Sequence, residues 1–214
     1  MGNDLDLLTI AYYRKKDKIQ KRLSEFKGVL DESDERFFAE LAFCLCTPQS
    51  KATTCWEVVS SLMRSRLLFE GSEEQIRPFL NAIRFGYNKA RYIVNARSFF
   101  TKDGNLRIKE RVMSFNDPFS LREWLVNNVL GMGMKEASHF LRNIGLGSNL
   151  AILDRHILKN LKKHGVIEEV PKSMTRKAYL DTEKKMRDFS NRIDIPMDEL
   201  DLLFWSEETG MVFK

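Results

Sequence analysis

Apolar side chains recur three and four positions apart along almost the whole chain, the spacing of helices that bury one face. That period predicts helices over roughly 6–26, 33–46, 52–65, 72–82, 87–100, 118–129, 135–144, 154–163, 175–191 and 196–209. Asp or Ser stands ahead of several of them, where a side-chain oxygen can cap the first free amides. Gly86, Gly145 and Gly165 stand where helices stop. No strand is placed, because the remaining apolar runs are short; Ala151-Ile152-Leu153 reads as a buried connector leading into Asp154. No repeat, low-complexity stretch or long Gly/Ser/Pro linker breaks the pattern. An all-α protein is the expectation.

One segment carries more than helical spacing. Val126 to Leu141, VNNVLGMGMKEASHFL, fits the DNA-binding helix-hairpin-helix pattern at every fixed position. Val126, Val129, Met132, Phe140 and Leu141 take the apolar places, Gly131 and Gly133 the glycines, and Ala137 the small contact between the two helices. Two glycines around one apolar residue let the backbone turn tightly and approach a ligand with no Cβ in the way. The helix that follows opens with unpaired N–H groups and a positive dipole end, which suits a phosphate. Gly-x-Gly alone also connects helices for steric reasons. The sixteen-residue pattern points further, to DNA-backbone contact at Gly131, Gly133 and Met134. If the chain forms two lobes, this hairpin lies where they meet.

Composition narrows the partners without naming one. A net charge of +5 permits an acidic polymer. The N-terminus has acidic residues and an apolar stretch too short for a signal peptide, no run approaches bilayer length, and Asp6 stands where a myristoylation signal needs Ser or Thr. The expected location is cytoplasmic, associated with the nucleoid, with no membrane partner. Cys44, Cys46 and Cys55 read as buried free thiols, too few to ligate an iron–sulfur cluster. His139, His156 and His164 show no metal spacing and read as structural residues or phosphate contacts, so no metal site is expected.

Projected on a helix, Lys135, Ser138, His139 and Arg142 share one arc, opposite Ala137, Phe140, Leu141 and Ile144, so Lys135 faces away from the apolar stripe. A lysine there is either solvated, paired with a phosphate, or a nucleophile. The positive helix start and a scarcity of other charges would favour the neutral, nucleophilic amine. Asp154 follows three apolar residues and precedes a helix, the place of an N-cap. A carboxylate fixed by capping bonds can also stabilise a nearby cation.

The stretch from Gly131 to Asn143, followed by Ile152-Leu153-Asp154-Arg155-His156, resembles the helix-hairpin-helix DNA glycosylases and, more narrowly, the type 2 8-oxoguanine DNA glycosylase/AP lyases. The likeness runs from about Phe37 to Lys214, through Arg84-Phe85, Lys89 to Ile93, Leu200 to Trp205 and Thr209 to Lys214. It implies the two-lobed DNA glycosylase fold, with a central lobe over 32–147 ending in the hairpin and a second lobe formed by 1–31 and 148–214. It implies Lys135 as nucleophile and Asp154 as its acidic partner. Lys135 would attack C1′ of an everted 8-oxoguanosine, and β-elimination would then cut the strand 3′ to the abasic site. The partner is double-stranded DNA containing oxidised guanine, met by a monomer. No cofactor is required, although hairpin carbonyls in this superfamily can hold a monovalent cation.

Base eversion calls for a wedge and a stacking surface. Phe85 and Trp205 are the stacking candidates, and Gln49 is the candidate wedge. Here Pro48-Gln49 departs from the Thr-Ala-Asn of the type 2 pattern and looks more like the endonuclease III branch, which leaves the opposite-base preference open. In the type 2 family the terminal lysine, here Lys214, is tied to telling 8-oxoguanine from guanine. An acceptor near N7, such as the chain's carboxyl end, would favour the lesion. Arg155, Lys159, Lys162 and Lys163 are candidate phosphate contacts. Two alternatives remain: the same chemistry on an oxidised pyrimidine, and a hairpin module that only binds DNA. The Lys135–Asp154 pair argues against the second alternative. The tail, with the shortage of cysteines, argues against the first.

Overall fold

The computed structural model describes residues 2–214. The chain opens with a long helix, α1 (Gly2–Gly28), followed by α2 (Asp34–Cys46), α3 (Ala52–Arg64) and two single-turn helices, α4 (Leu67–Glu70) and α5 (Glu73–Ile76). After α6 (Gly86–Phe100) a small hairpin pairs β1 (Thr101–Lys102) with β2 (Asn105–Leu106). Then come α7 (Ile108–Met113), α8 (Pro118–Asn128), α9 (Met134–Asn143), α10 (Arg155–Lys163), α11 (Arg176–Ile193) and α12 (Met197–Thr209).

The helix starts follow the local chemistry of the sequence. Ser33, Asp117, Asp154 and Thr175 each accept an amide at the head of a helix, and Ser72 with Gln75 closes a reciprocal capping box. The helix expected over 72–82 is corrected: α5 ends at Ile76 and a 3-10 turn, Arg77–Ala82, takes over. Pro78 has no N–H to give and its ring crowds the carbonyl four residues back, so the chain cannot continue as an α-helix. The β1–β2 hairpin also stands against the expectation of no strands. Asp103 and Gly104 both take positive φ between the two short strands, as an Asp-Gly turn demands, but two-residue strands leave no alternation to read.

Two hydrophobic clusters divide the buried residues. One runs from Val29 to Leu150 around Phe37, Phe38 and Phe43 of α2 and Phe140 and Leu141 of α9. The other joins Leu8, Tyr12, Ile19 and Phe26 of α1 to Ala151 and to residues of α10, α11 and α12. Each large apolar side chain so buried contributes about 1.5–3 kcal/mol. α1 packs along α12, and Tyr12 donates to Glu199 at 2.7 Å across 187 residues of sequence.

Helix α9 sits between the clusters. Its apolar stripe enters the first, while Ser138, His139 and Arg142 on its polar arc are 0%, 5% and 4% exposed rather than solvated. The polar arc meets the second group of helices: Arg142 reaches Asp201 of α12 at 2.9 Å, and Ser138 accepts from Tyr179 of α11 at 3.3 Å. Beside it Arg122 of α8 grips Glu183 of α11 through two bonds of 2.6 and 2.9 Å, and Glu183 also accepts the Ala151 amide at 2.8 Å.

Candidate active site

The turn between α8 and α9 is built by its glycines. Gly131 holds φ +84, and a Cβ there would lie 2.4 Å from the Tyr92 ring, so both conformation and space exclude a side chain. Gly133 is extended and sits at the N-cap of α9. Residues 126–133 line an open groove of about 440 Å³ on this face. Met134 follows, half-buried against the second cluster.

Lys135 lies in the first turn of α9, its side chain 20% exposed. Its Nζ donates to the hydroxyl of Thr47 at 3.0 Å and stands 3.6 Å from Glu136 Oε1. The expectation of few competing charges is thereby corrected: two long side chains, neighbours in sequence, reach over the same helix start. Thr47 was not read from the sequence; it sits 88 positions away, and its own hydroxyl donates to the Cys44 carbonyl at 2.9 Å.

Asp154 caps α10. Its Oδ1 accepts from the amides of His156 and Ile157 at 2.8 and 2.9 Å, and among the described residues Oδ2 has no hydrogen-bond donor. The buried run Ile152-Leu153 delivers the carboxylate from the core side. Asp201 links the two candidates. Burial pushes its carboxyl up to about 7; Arg142 opposes this, the charge of Asp154 adds to it and that of Lys135 opposes it. The charges of Lys135 and Asp154 thus both reach Asp201.

Lys214 is 7% exposed. Its ammonium pairs with Glu40 and stands 3.6 Å over the Trp56 ring and 5.4 Å from that of Phe43. Burial pulls its pKa down to about 8, against the pull of Glu40. Glu40 also receives Arg36 at 2.6 Å and Asn143 at 3.0 Å. The one signal for Glu40 was a carboxylate inside the apolar run FFAELAFCLC, and sequence reasoning passed over it.

His139 packs edge-on to Phe43 at 5.4 Å with the Lys214 backbone beside its ring, and among the described residues neither ring nitrogen has a hydrogen-bond partner of ordinary geometry. Burial, then the charges of Arg142, Lys135 and Lys214, holds it neutral. At 5% exposure it has a structural place, not a phosphate contact. His164 stacks 5.5 Å from Phe204, and His156 faces Glu208 at 3.9 Å. Among the described residues no three His, Cys, Asp or Glu side chains gather as a metal site. The three cysteines are free and buried.

Two of the eversion candidates come together. Gln49 and Phe85 are both exposed and both at positive φ, +54 and +58, and Arg84 reaches the Gln49 amide oxygen at 3.5 Å. Trp205 is half-buried elsewhere, on α12, its ring 6.3 Å from Phe213. Arg155 is exposed at the head of α10. Lys159 is paired with Glu208 and Lys162 with Glu169, each at 2.7 Å. Such exposed pairs hold weakly, about 0–1 kcal/mol, and can exchange for a phosphate.

Over residues 19–195 the chain matches the family described as 8-oxoguanine DNA glycosylase. It is similar to the 8-oxoguanine DNA glycosylase/AP lyase of Fusobacterium nucleatum, 45% identical over 204 residues covering 95% of this chain and 94% of that one. It is 40% identical to the enzyme of the same name from Korarchaeum cryptofilum, covering 98% and 96%. Its fold superposes on the Methanocaldococcus jannaschii 8-oxoguanine glycosylase/lyase in complex with a 15mer DNA containing 8-oxoguanine, with a TM-score of 0.88, 36% identity and 97% and 99% coverage. The family match over residues 19–195 and relatives at 40–45% identity that cover more than nine-tenths of its length show that the chain belongs to the 8-oxoguanine DNA glycosylase family.

Proposed function

We propose that this protein removes 8-oxoguanine from duplex DNA and then cleaves the strand at the resulting abasic site, with Lys135 as the nucleophile and Asp154 as its partner. The observation that carries the residue assignment is the placement of the Lys135 amine at the head of α9, on Thr47, within the field that Asp154 shares.

The hairpin amides around Gly131, Gly133 and Met134 receive a phosphate of the damaged strand, with Arg155 and Lys159 holding the backbone beyond it. Once the nucleotide is everted, positive charge grows on the sugar as the bond from C1′ to N9 lengthens. The free Oδ2 of Asp154 stabilises that charge while Oδ1 stays fixed by its two amides. The Lys135 amine, its ammonium proton first lost to solvent, forms the C1′–N bond, the base departs with the N9 electron pair and takes up a proton, and the aminal opens to a Schiff base. Loss of the C2′ proton then expels the 3′ phosphate. Lys214, Trp205, Phe85 and Gln49 form the recognition group around the base and the gap it leaves. The carbonyl oxygens of the hairpin suit a monovalent cation, which would add positive charge beside the phosphate; the Val129 carbonyl already accepts from Met132 at 3.1 Å and keeps a second lone pair.

Borohydride trapping tests the assignment. The wild type is expected to form a covalent adduct on 8-oxoguanine duplexes and on abasic duplexes, and Lys135→Gln to form none. Adducts that persist in Lys135→Gln would move the nucleophile elsewhere, and trapping confined to oxidised-pyrimidine duplexes would change the substrate.

A further inference from the structure

Lys89 is a buried cation that the mechanism above does not use. It lies on α6, 2% exposed, and among the described residues no carboxylate pairs with it. Its ammonium instead donates three hydrogen bonds, to the Cys46 carbonyl at 2.6 Å, the Pro48 carbonyl at 2.9 Å and the Ser50 hydroxyl at 3.0 Å. All three donors of the amine are spent on one five-residue turn. Desolvation works against holding a charge there, so the arrangement persists because the turn and the charge satisfy each other.

That turn reaches two exposed residues. Gln49 lies between two of the acceptors, at φ +54. Ser50 passes the grip onward: its hydroxyl also accepts the Arg84 amide at 3.0 Å, and the next residue is Phe85, at φ +58. Non-glycine residues rarely adopt this conformation, and they hold it where surrounding contacts fix them. Here two of them stand side by side on chain segments 36 positions apart, each fixed through the bonds that start at Lys89.

We propose that Lys89 is a positioning residue for base eversion: it locks the 46–50 turn and the Arg84–Phe85 corner into one rigid element, so that Gln49 and Phe85 stand ready to fill the space the everted nucleotide leaves. This rests on the function proposed above. Thr47 is also held by its own bond to the Cys44 carbonyl, so the partner of the Lys135 amine keeps an anchor when Lys89 is lost; the charge of Lys89 itself reaches Lys135, and Ser50→Ala tests the corner without changing that charge. Duplex work should therefore suffer and sugar chemistry should not.

The test uses Lys89→Met and Ser50→Ala, the second removing the link to Arg84 at a half-buried position. Three quantities are read: single-turnover excision of 8-oxoguanine from a duplex, borohydride trapping on a single-stranded abasic oligonucleotide, where no stack needs filling, and fluorescence of 2-aminopurine placed beside the lesion. Lys89→Met is expected to slow duplex excision about tenfold or more, the scale on which small misplacements act, with the fluorescence rise lost and single-strand trapping retained. Ser50→Ala should show the same split, more weakly, and it decides the matter if Lys89→Met does not fold. Equal losses on both substrates, or unchanged duplex excision in a folded variant, overturn the proposal. A wild type that excises no 8-oxoguanine overturns the functional reading first, and this one with it.

Discussion

The carboxylate at the head of α10 caps that helix and, in the function proposed above, also steadies the sugar cation, and one substitution separates the two. Asp154→Asn keeps a side-chain oxygen for the amides of His156 and Ile157, so the cap should survive and stability should change by less than about 1 kcal/mol. Excision should fall about a hundredfold or more, the usual loss when a preorganised electrostatic contact to a developing charge is removed. Parallel thermal melts and single-turnover rates check this, and a rate near wild type would relieve Asp154 of its catalytic duty. Lys214 gives a pH signature. Its folded pKa, about 8, lies below the ordinary 10.5, so the unfolded chain binds more protons between those values and stability rises with pH there. Relative to Lys214→Met, the wild type should gain stability from about pH 8 upward and show its full burial penalty below that. Urea midpoints at pH 7 and pH 10 would show it; an unchanged difference would place the ammonium in solvent. Lys135 and Asp154 could be proposed from the sequence because one lies within the hairpin pattern, the other stands at a helix cap, and both fall in the stretch that resembles the family. Glu40, Thr47 and Lys89 were not, since what makes them matter is a partner 174, 88 or 43 positions away.

The helices were readable where one face is buried and an oxygen-bearing side chain marks the start, as at Ser33, Asp117 and Asp154. One was misread where a proline tightens the helix, and elements too short to show a period, as in α4, α7 and the β1–β2 hairpin, were missed. The polar arc of α9 was drawn correctly on the helical wheel, but its surroundings belong to the tertiary structure: it is buried against other helices. The hairpin glycines separate folding from binding. Gly131→Ala forces a side chain into positive φ against Tyr92 and should cost about 2 kcal/mol. Gly133→Ala keeps an ordinary backbone and meets only the flexible carboxylate end of Glu136 at 2.9 Å, so it should melt close to wild type while binding duplex DNA less tightly. Calorimetry with fluorescence anisotropy distinguishes them, and equal melting losses would contradict the contrast.

At the scale of the molecule, the buried pairs Arg122–Glu183 and Arg142–Asp201 pin α8 and α9 to α11 and α12. Removing one partner strands a charge in the interior, so Glu183→Ala should destabilise by about 3–5 kcal/mol. The exposed Arg176–Glu123 pair, its side chains 65% and 30% exposed, should matter by less than about 1 kcal/mol when Glu123 becomes Ala. Denaturant titrations of the two variants test the ranking, and a reversal would mean that the buried pair is dispensable. The packing of α1 on α12 adds a consequence in time. Tyr12 of α1 meets Glu199 only after 187 further residues have been made, roughly 10–40 s at ordinary rates of synthesis. Until α10, α11 and α12 follow, Leu8, Tyr12 and Ile19 lack the partners that bury them, and the apolar face of α1 stays open to other contacts.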